Sequence, residues 1–355
     1  MSHVAALEAA IRAWADGGVF EGFEEWALRA FAHQFERVAA YRSYCERRGV
    51  TPATVASWTD VPAVPAAAFR HADLATGPAE AAFRTSGTTG GAGARGRHPI
   101  VHLSLYRASA LAGFRHFVVP DDERLACLFL LPPLAARPDS SLVHMCAWVG
   151  EAFGTSVEWF VGDEGLDLAR LRERLAALAA SGEPVLLAGP TAAFVRLFDT
   201  GFSCRLGPGS RVMDTGGAKG MPRPLSRPGF LRACWTHLGI AGYFCVNEYG
   251  MTELCSQRYD SVLADRMAGR SLAARRLVAP PWLRTRVLDP DTLTPVAPGA
   301  TGLLCHHDLA NWGSVSVVLT EDLGHATGGD GIVVEGRVSG APPRGCGQLL
   351  VAMSP

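Results

Sequence analysis

Lysine is almost absent from this sequence: of the 33 basic residues in a chain of 355, 32 are arginine and Lys219 stands alone. A Walker phosphate loop, GxxxxGK[ST], needs a lysine in a context the chain does not offer, so NTPase chemistry by that route is excluded. Surplus charge is missing as well. Thirty-three basic against 34 acidic residues leave a formal charge of -1, with no global positive field to draw nucleic acid or an anionic membrane. Paired cysteine spacing is missing: the nine cysteines (45, 127, 146, 204, 234, 245, 255, 305, 346) are odd in number, scattered and include no CxxC, so neither a disulfide framework nor a zinc ribbon is indicated. A reducing compartment suits them. Long apolar runs are missing too. The longest, near 125–136 and 185–195, are broken by proline, whereas a spanning helix needs about 18 apolar residues. The first residues carry Glu8 and Arg12 inside their apolar periodicity, unlike a signal-peptide core. These absences predict a cytoplasmic protein with no membrane span and no nucleic-acid partner.

What is present is a globular composition, 48% hydrophobic and 19% charged. Val4, Leu7, Ile11 and Trp14 recur at helical spacing, as do Phe23, Trp26, Ala30, Phe31, Phe35 and Val38, so the first 48 residues read as amphipathic helices. The connector from Trp58 to Pro65 carries two prolines that keep it from being helix or central strand. Beyond it, β-like runs at Leu125–Leu131, Val185–Ala188, Val317–Leu319 and Gly331–Val334 alternate with helical patterns such as Leu168, Leu171, Leu175 and Leu178. Such alternation predicts an α/β fold with partly parallel sheets flanked by helices. The domain reading is a helical cap and connector at 1–60 belonging to the main body, a principal domain at 61–335, and a hinge-like segment with a short tail at 336–355.

Four stretches carry chemistry. In Phe83-Arg-Thr-Ser-Gly-Thr-Thr-Gly-Gly91, three glycines let backbone N–H groups face an anion and four hydroxyls add donors, a phosphate cradle if it is more than a surface turn. Arg211-Val-Met-Asp-Thr-Gly-Gly-Ala-Lys-Gly220 ends a β-like run in a Gly-Gly turn where backbone can approach a flat ligand, and it holds Lys219. Tyr243-Phe-Cys-Val-Asn-Glu-Tyr-Gly-Met-Thr-Glu-Leu254 puts an aromatic, a glycine, a hydroxyl and a carboxylate within five residues, a set suited to a stacked base, a phosphate and a metal ion. Leu319-Thr-Glu-Asp-Leu-Gly324 followed by Asp330-Gly-Ile-Val-Val-Glu-Gly-Arg337 supplies a carboxylate for ribose hydroxyls and an arginine at a turn.

In that order, SGTTGG, TGGAKG, YGMTE, TEDLG and DGIVVEGR resemble the motif series of the adenylate-forming superfamily of acyl-CoA synthetases, adenylation domains and luciferases, across residues 83 to 337. Ser140-Ser-Leu-Val-His-Met145, Tyr249-Gly-Met-Thr-Glu-Leu-Cys-Ser-Gln257, His307-Asp-Leu-Ala-Asn311 and Arg344-Gly-Cys346 most resemble the acyl-protein synthetase (LuxE-type) of the bacterial fatty-acid reductase complex. The resemblance implies the large N-terminal domain of an adenylate-forming ligase, with the C-terminal domain reduced to a short tail. It implies ATP and Mg²⁺, a fatty or aromatic carboxylic acid, and an acyl-adenylate formed with release of pyrophosphate. It also implies sites by position. Thr85, Ser86, Gly87, Thr88, Thr89 and Gly90 would hold the β- and γ-phosphates. Gly216, Gly217, Ala218, Asn247, Tyr249, Gly250 and Met251 would line the nucleotide, with Tyr249 stacking on adenine. Thr252 would meet the α-phosphate, Glu253 the metal, and Asp322 with Arg337 the ribose. His144 would border the acid pocket, although a lone histidine beside apolar residues is more often structural.

Two departures stand out. The superfamily's late lysine has no counterpart here, which leaves Lys219, Arg344 or a partner protein to supply its charge. The phosphate loop lacks its trailing lysine, with Arg95 and Arg97 nearest. In the acyl-protein synthetases a cysteine near the C-terminus accepts the acyl group, and Cys346 matches it, with Arg344 placed to lower its pKa. A reductase, acyltransferase or carrier protein would then take the acyl group onward. Two alternatives remain: transfer to coenzyme A or an acyl-carrier protein with Cys346 uninvolved, and a non-catalytic adenylate-binding scaffold subunit. Cys255, Cys305, His306 and His307 are also weighed as a zinc set, against irregular spacing.

Overall fold

The computed structural model describes residues 2–85, 95–216, 225–271 and 274–338. The chain forms two compact units: Met1–Ala112 with Met251–Gln257 and Val278–Pro355, and Gly113–Gly250 with Arg258–Leu277.

The second unit is the α/β body that the alternating runs predict. Its strands lie in the order Gly154–Trp159, Leu125–Phe129, Val185–Pro190, Arg211–Thr215, Cys245–Tyr249 and Arg258–Asp260; the first five are parallel and the last antiparallel. Leu125–Phe129 is buried at every position, as a strand covered on both faces requires. Helices Ser141–Phe153, Leu168–Ser181, Thr191–Phe198 and Arg227–Leu238 make the crossovers. The second starts where the Asp167 carboxylate accepts from Arg170 N at 3.0 Å and stops at Gly182, whose φ of +74° suits only glycine without strain. Between these ends Leu171, Leu175 and Leu178 turn inward at i, i+4 and i+7 and join Leu128, Leu187 and Phe194 in one apolar cluster. Each such leucine stabilises the fold by about 1.5–3 kcal/mol. Strand order reverses at Leu125–Phe129, and ligands of open parallel sheets gather outside the carboxyl ends near such a reversal. Thr215–Gly216 and Tyr249–Gly250 leave neighbouring strands from those ends.

The first unit holds an antiparallel meander of Leu283–Leu288, Gly302–Asp308, Val317–Ala326 and Ile332–Arg337. Hydropathy marks only the last two. In the others Arg284, Arg286, His306 and His307 interrupt the apolar run, yet Gly302–Asp308 is buried at all seven positions. Val64–Pro65 adds in parallel to Val318–Leu319 over two residues at an edge, where proline's missing donor costs nothing. A 3₁₀ turn at Trp58–Asp60 closes by a capping box with Ser57. The first 48 residues form helices His3–Ala15, Phe23–Arg37 and Ala39–Arg47, as their periodicity predicts. Gln34, fully buried on the second, donates to the carbonyls of Asn311 (3.1 Å) and Trp312 (3.3 Å) and accepts from the Ser316 N–H (3.0 Å) and hydroxyl (3.1 Å). Among the described residues, no helix is long and apolar enough to cross a membrane.

Candidate functional site

The YGMTE stretch begins on the Cys245–Tyr249 strand and passes into the first unit at Met251. There Thr252 to Ser256 form a turn whose backbone is held by buried side chains far away in sequence. His98 Nδ1 lies 2.7 Å from the Thr252 carbonyl. Asn311 donates its two amide hydrogens to the carbonyls of Glu253 (2.9 Å) and Val315 (2.8 Å). Asp308 accepts from Cys255 N (2.8 Å), the Ser256 hydroxyl (2.6 Å) and Ala310 N (3.1 Å), and Trp282 Nε1 donates toward Ser109 (2.9 Å) and Ser256 (3.1 Å). Burial pushes the Asp308 carboxyl up to about 6 in spite of these donors. A turn anchored on both sides in this way presents its side chains with little freedom.

Glu253 is the residue so presented. It is 8% exposed, and no described side chain donates a hydrogen bond to its carboxylate. Burial pushes its pKa up to about 7; its own backbone N–H and the arginines Arg337 and Arg70 pull it back down, while Asp322 pushes it further up. A buried carboxylate with open lone pairs is the kind of oxygen donor a hard divalent cation takes, so the residues present fit Mg²⁺. Asp322 and Arg337, the pair expected to share a ligand, face each other across neighbouring strands and bond to each other, Arg337 Nε to Asp322 Oδ1 at 3.0 Å.

The hydroxyl-rich loop rises from a hairpin of Ala81–Arg84 and Arg97–Ile100. Its base is closed by Thr85 N donating to Gly96 O (3.0 Å) and Gly96 N donating to the Thr85 hydroxyl (2.9 Å). A Cβ at position 96 would lie 3.1 Å from Thr85 Cγ2 and 3.6 Å from Arg70 Cγ, so a larger residue there would have to push the Thr85 methyl aside, and Arg70 packs over the closure. Ser86, Gly87, Thr88, Thr89, Gly90, Gly217, Ala218, Lys219, Arg344 and Cys346 lie outside the described residues.

In the second unit, Gly216 takes a φ of +75° immediately after its strand. The Thr191 hydroxyl lies 3.1 Å from Asp214 Oδ2 and 3.2 Å from the carbonyls of Thr215 and Gly216, fixing that exit. Asn247 commits its amide to the Asp214 carbonyl and carboxylate, 3.0 Å each, and thus orders the strand end. Asp214 also meets Arg227 at 2.5 Å. Glu248 is buried and receives the Thr215 hydroxyl; burial, with the Asp214 charge adding, pushes it up to about 7. Tyr249 ends the strand opposite Arg258. His144 places Nε2 at 3.0 Å from the Pro138 carbonyl and its ring edge-on to Trp148.

The cysteine–histidine set does not gather. His306 meets the Thr285 hydroxyl (2.7 Å), His307 accepts from Arg286 Nε (3.1 Å), and the described residues hold no group of three ligands able to bind a metal. Motif reading misses His98, Arg70 and Glu248. His98 and Arg70 carry no spacing signal, and Glu248 stands inside a motif beside residues with assigned roles. Asp308 and Asn311 do fall in the marked His307–Asn311 segment, whose purpose becomes plain only when the turn is seen.

A family model described as "Acyl-protein synthetase, LuxE" matches residues 7–353. The long-chain-fatty-acid–luciferin-component ligase of Aliivibrio fischeri is 22% identical over 304 residues, covering 83% of this chain and 76% of its own. Among solved structures, 2-hydroxyisobutyryl-CoA ligase in complex with 2-HIB-AMP superposes with a TM-score of 0.65 at 16% identity, over 88% of this chain and 66% of that one. ATP-bound MatB from Rhodopseudomonas palustris gives 0.51 at 16% identity over 81% of this chain, which spans about half (52%) of MatB. At that identity the likeness is one of fold, a mixed α/β sheet flanked by helices. With the family match spanning nearly the whole sequence, the chain belongs to the LuxE acyl-protein synthetase family, ligases on the adenylate-forming fold.

Proposed function

We propose that the chain joins a carboxylic acid to AMP at the expense of ATP and then passes the acyl group to a thiol, its own Cys346. An acid oxygen attacks the α-phosphorus, the bond to the β-phosphate bridging oxygen breaks, and pyrophosphate leaves. A thiolate then attacks the acyl carbonyl and AMP departs with the electron pair. The observation that carries this reading is Glu253, a buried carboxylate at about 7 on a turn fixed by His98, Asn311 and Asp308. Glu253 would hold Mg²⁺, which neutralises phosphate charge as the carboxylate approaches. Asp322 is oriented by Arg337 to accept from ribose hydroxyls, and the Thr85–Gly96 closure sets the mouth of the hydroxyl-rich loop. The acid is fatty or aromatic, and a reductase is the partner class that consumes the thioester.

Burial disfavours most of the other cysteines as acceptors. Burial pushes Cys45 and Cys127 up to about 12 and Cys305 up to about 11; it also raises Cys146, Cys204 and Cys255, while a bond from Cys245 raises Cys234. The thiols at about 11 to 12 ionise too little near neutrality to take an acyl group; Cys146, Cys234, Cys245 and Cys255 are buried, and Cys204 is half-buried.

Exchange of labelled pyrophosphate into ATP across a panel of acids tests the first half-reaction; folded protein that exchanges with none sinks it. Incubation with ATP and labelled acid, without added thiol, tests the second: the protein becomes covalently labelled and Cys346→Ser does not. Labelling that survives Cys346→Ser, or that appears only on added coenzyme A, moves the acceptor elsewhere. Lys219→Ala is expected to slow exchange at least tenfold, about 1.4 kcal/mol of transition-state stabilisation. Near-normal exchange removes Lys219 from the chemistry.

A further inference from the structure

We infer that His98 is a positioning residue of adenylation, tying the base of the hydroxyl-rich loop to the Thr252–Glu253 turn so that two phosphate-contacting segments are held as one piece. The inference rests on the acyl-adenylate reading above.

His98 stands on the Arg97–Ile100 strand opposite Phe83, two residues past the Thr85–Gly96 closure. It is 1% exposed, and its ring meets Phe69 edge-on at 5.2 Å. A carbonyl oxygen only accepts, so the 2.7 Å contact to Thr252 O requires the proton on Nδ1. Nε2 is then a bare acceptor, and it has no hydrogen-bond partner in this buried position. Asn311 lies close by, but both of its amide hydrogens go to the Glu253 and Val315 carbonyls. Burial drives the imidazole down to about 4, so it stays neutral at working pH and keeps one tautomer.

A buried unpartnered acceptor carries a desolvation penalty that leucine or phenylalanine would avoid in the same apolar surroundings. What histidine adds is the bond to Thr252. Among the described residues nothing else holds that carbonyl, and the peptide it belongs to carries the N–H of Glu253. With the peptide fixed, the Thr252 hydroxyl and the Glu253 carboxylate keep their directions relative to the loop mouth, although 154 residues separate His98 from Thr252 in sequence. Losing the bond leaves the groups that contact substrate chemically intact but lets the turn rotate, and misplacement by about 1 Å can cost a reaction about a hundredfold.

The test compares His98→Leu with His98→Asn, whose amide N–H reaches about where Nδ1 does. In pyrophosphate exchange, His98→Leu is expected to lose at least tenfold in kcat with KM for the acid within twofold, and His98→Asn to recover to within threefold of the parent. Unchanged kinetics in a folded His98→Leu protein, or equal impairment of both variants, overturns the proposal. Should His98→Leu not fold, ¹⁵N spectra of the parent decide: a neutral Nδ1–H ring that does not titrate between pH 5.5 and 8 agrees with the geometry, and an Nε2–H or titrating ring overturns it. A parent protein silent with every acid overturns the acyl-adenylate reading and this inference together. That outcome is told apart because the parent, not the variant, is inactive.

Discussion

Glu253→Gln is expected to cut pyrophosphate exchange by about a hundredfold to a thousandfold while making the nucleotide-free protein more stable above pH 7. Both effects come from the same burial. The folded-state pKa of about 7 stands above the ordinary value of 4.5, so the folded state prefers the protonated acid. No penalty exists below pH 4.5, it grows between 4.5 and 7, and above 7 it reaches about 3 kcal/mol at 1.36 kcal/mol per pKa unit. Glutamine keeps the shape without the charge, so the variant escapes the penalty at pH 8 and gains nothing at pH 4. Denaturant midpoints at those two values measure the difference. Equal midpoints at pH 8 would show that Glu253 is not desolvated as the structure has it. Retained exchange would remove Glu253 from the metal-binding role.

A loss of about 3–5 kcal/mol is the expected outcome of Asp308→Ala, because the change strands two backbone N–H groups and the Ser256 hydroxyl in the interior. Asp308→Asn keeps one carbonyl oxygen for these donors and should cost clearly less. The pair separates lost hydrogen bonds from lost volume. Guanidinium unfolding at pH 7.5, where Asp308 at about 6 is ionised, provides the measurement, and a difference under 1 kcal/mol for the alanine variant refutes the account.

The order of the five motifs carries the family, and local periodicity carries the helices His3–Ala15 and Phe23–Arg37 and the parallel strands Leu125–Phe129 and Val185–Pro190, because both signals lie in contiguous residues. Leu125–Phe129 and Leu168–Ser181 are legible for that reason. Gly302–Asp308 is not: its buried histidines bond to Thr285 and Arg286 on the neighbouring strand, its aspartate bonds to the Cys255–Ser256 turn, and hydropathy counts all three as surface. The site divides along the same line. Glu253, Asp322 and Arg337 are read from motif position, and the structure adds the burial of the first and the pairing of the other two. His98 cannot be read, since one histidine in Arg-His-Pro-Ile looks the same whether it faces solvent or a carbonyl 154 residues away. Asn247 sits in the marked motif, yet its amide is spent on Asp214, a reminder that membership of a motif does not distinguish holding a strand from touching a ligand.

Gln34 gives the opening helices a meaning that their amphipathic pattern conceals. Its amide fills four hydrogen bonds with Asn311, Trp312 and Ser316, and Asn311 in turn holds the carbonyl of Glu253. A trimmed protein beginning at residue 61 would lose no motif residue, yet it would leave an N–H and two carbonyls bare behind the Glu253 turn. Deletion mapping would then score the first sixty residues as essential for adenylation, though none of them need ever meet a substrate.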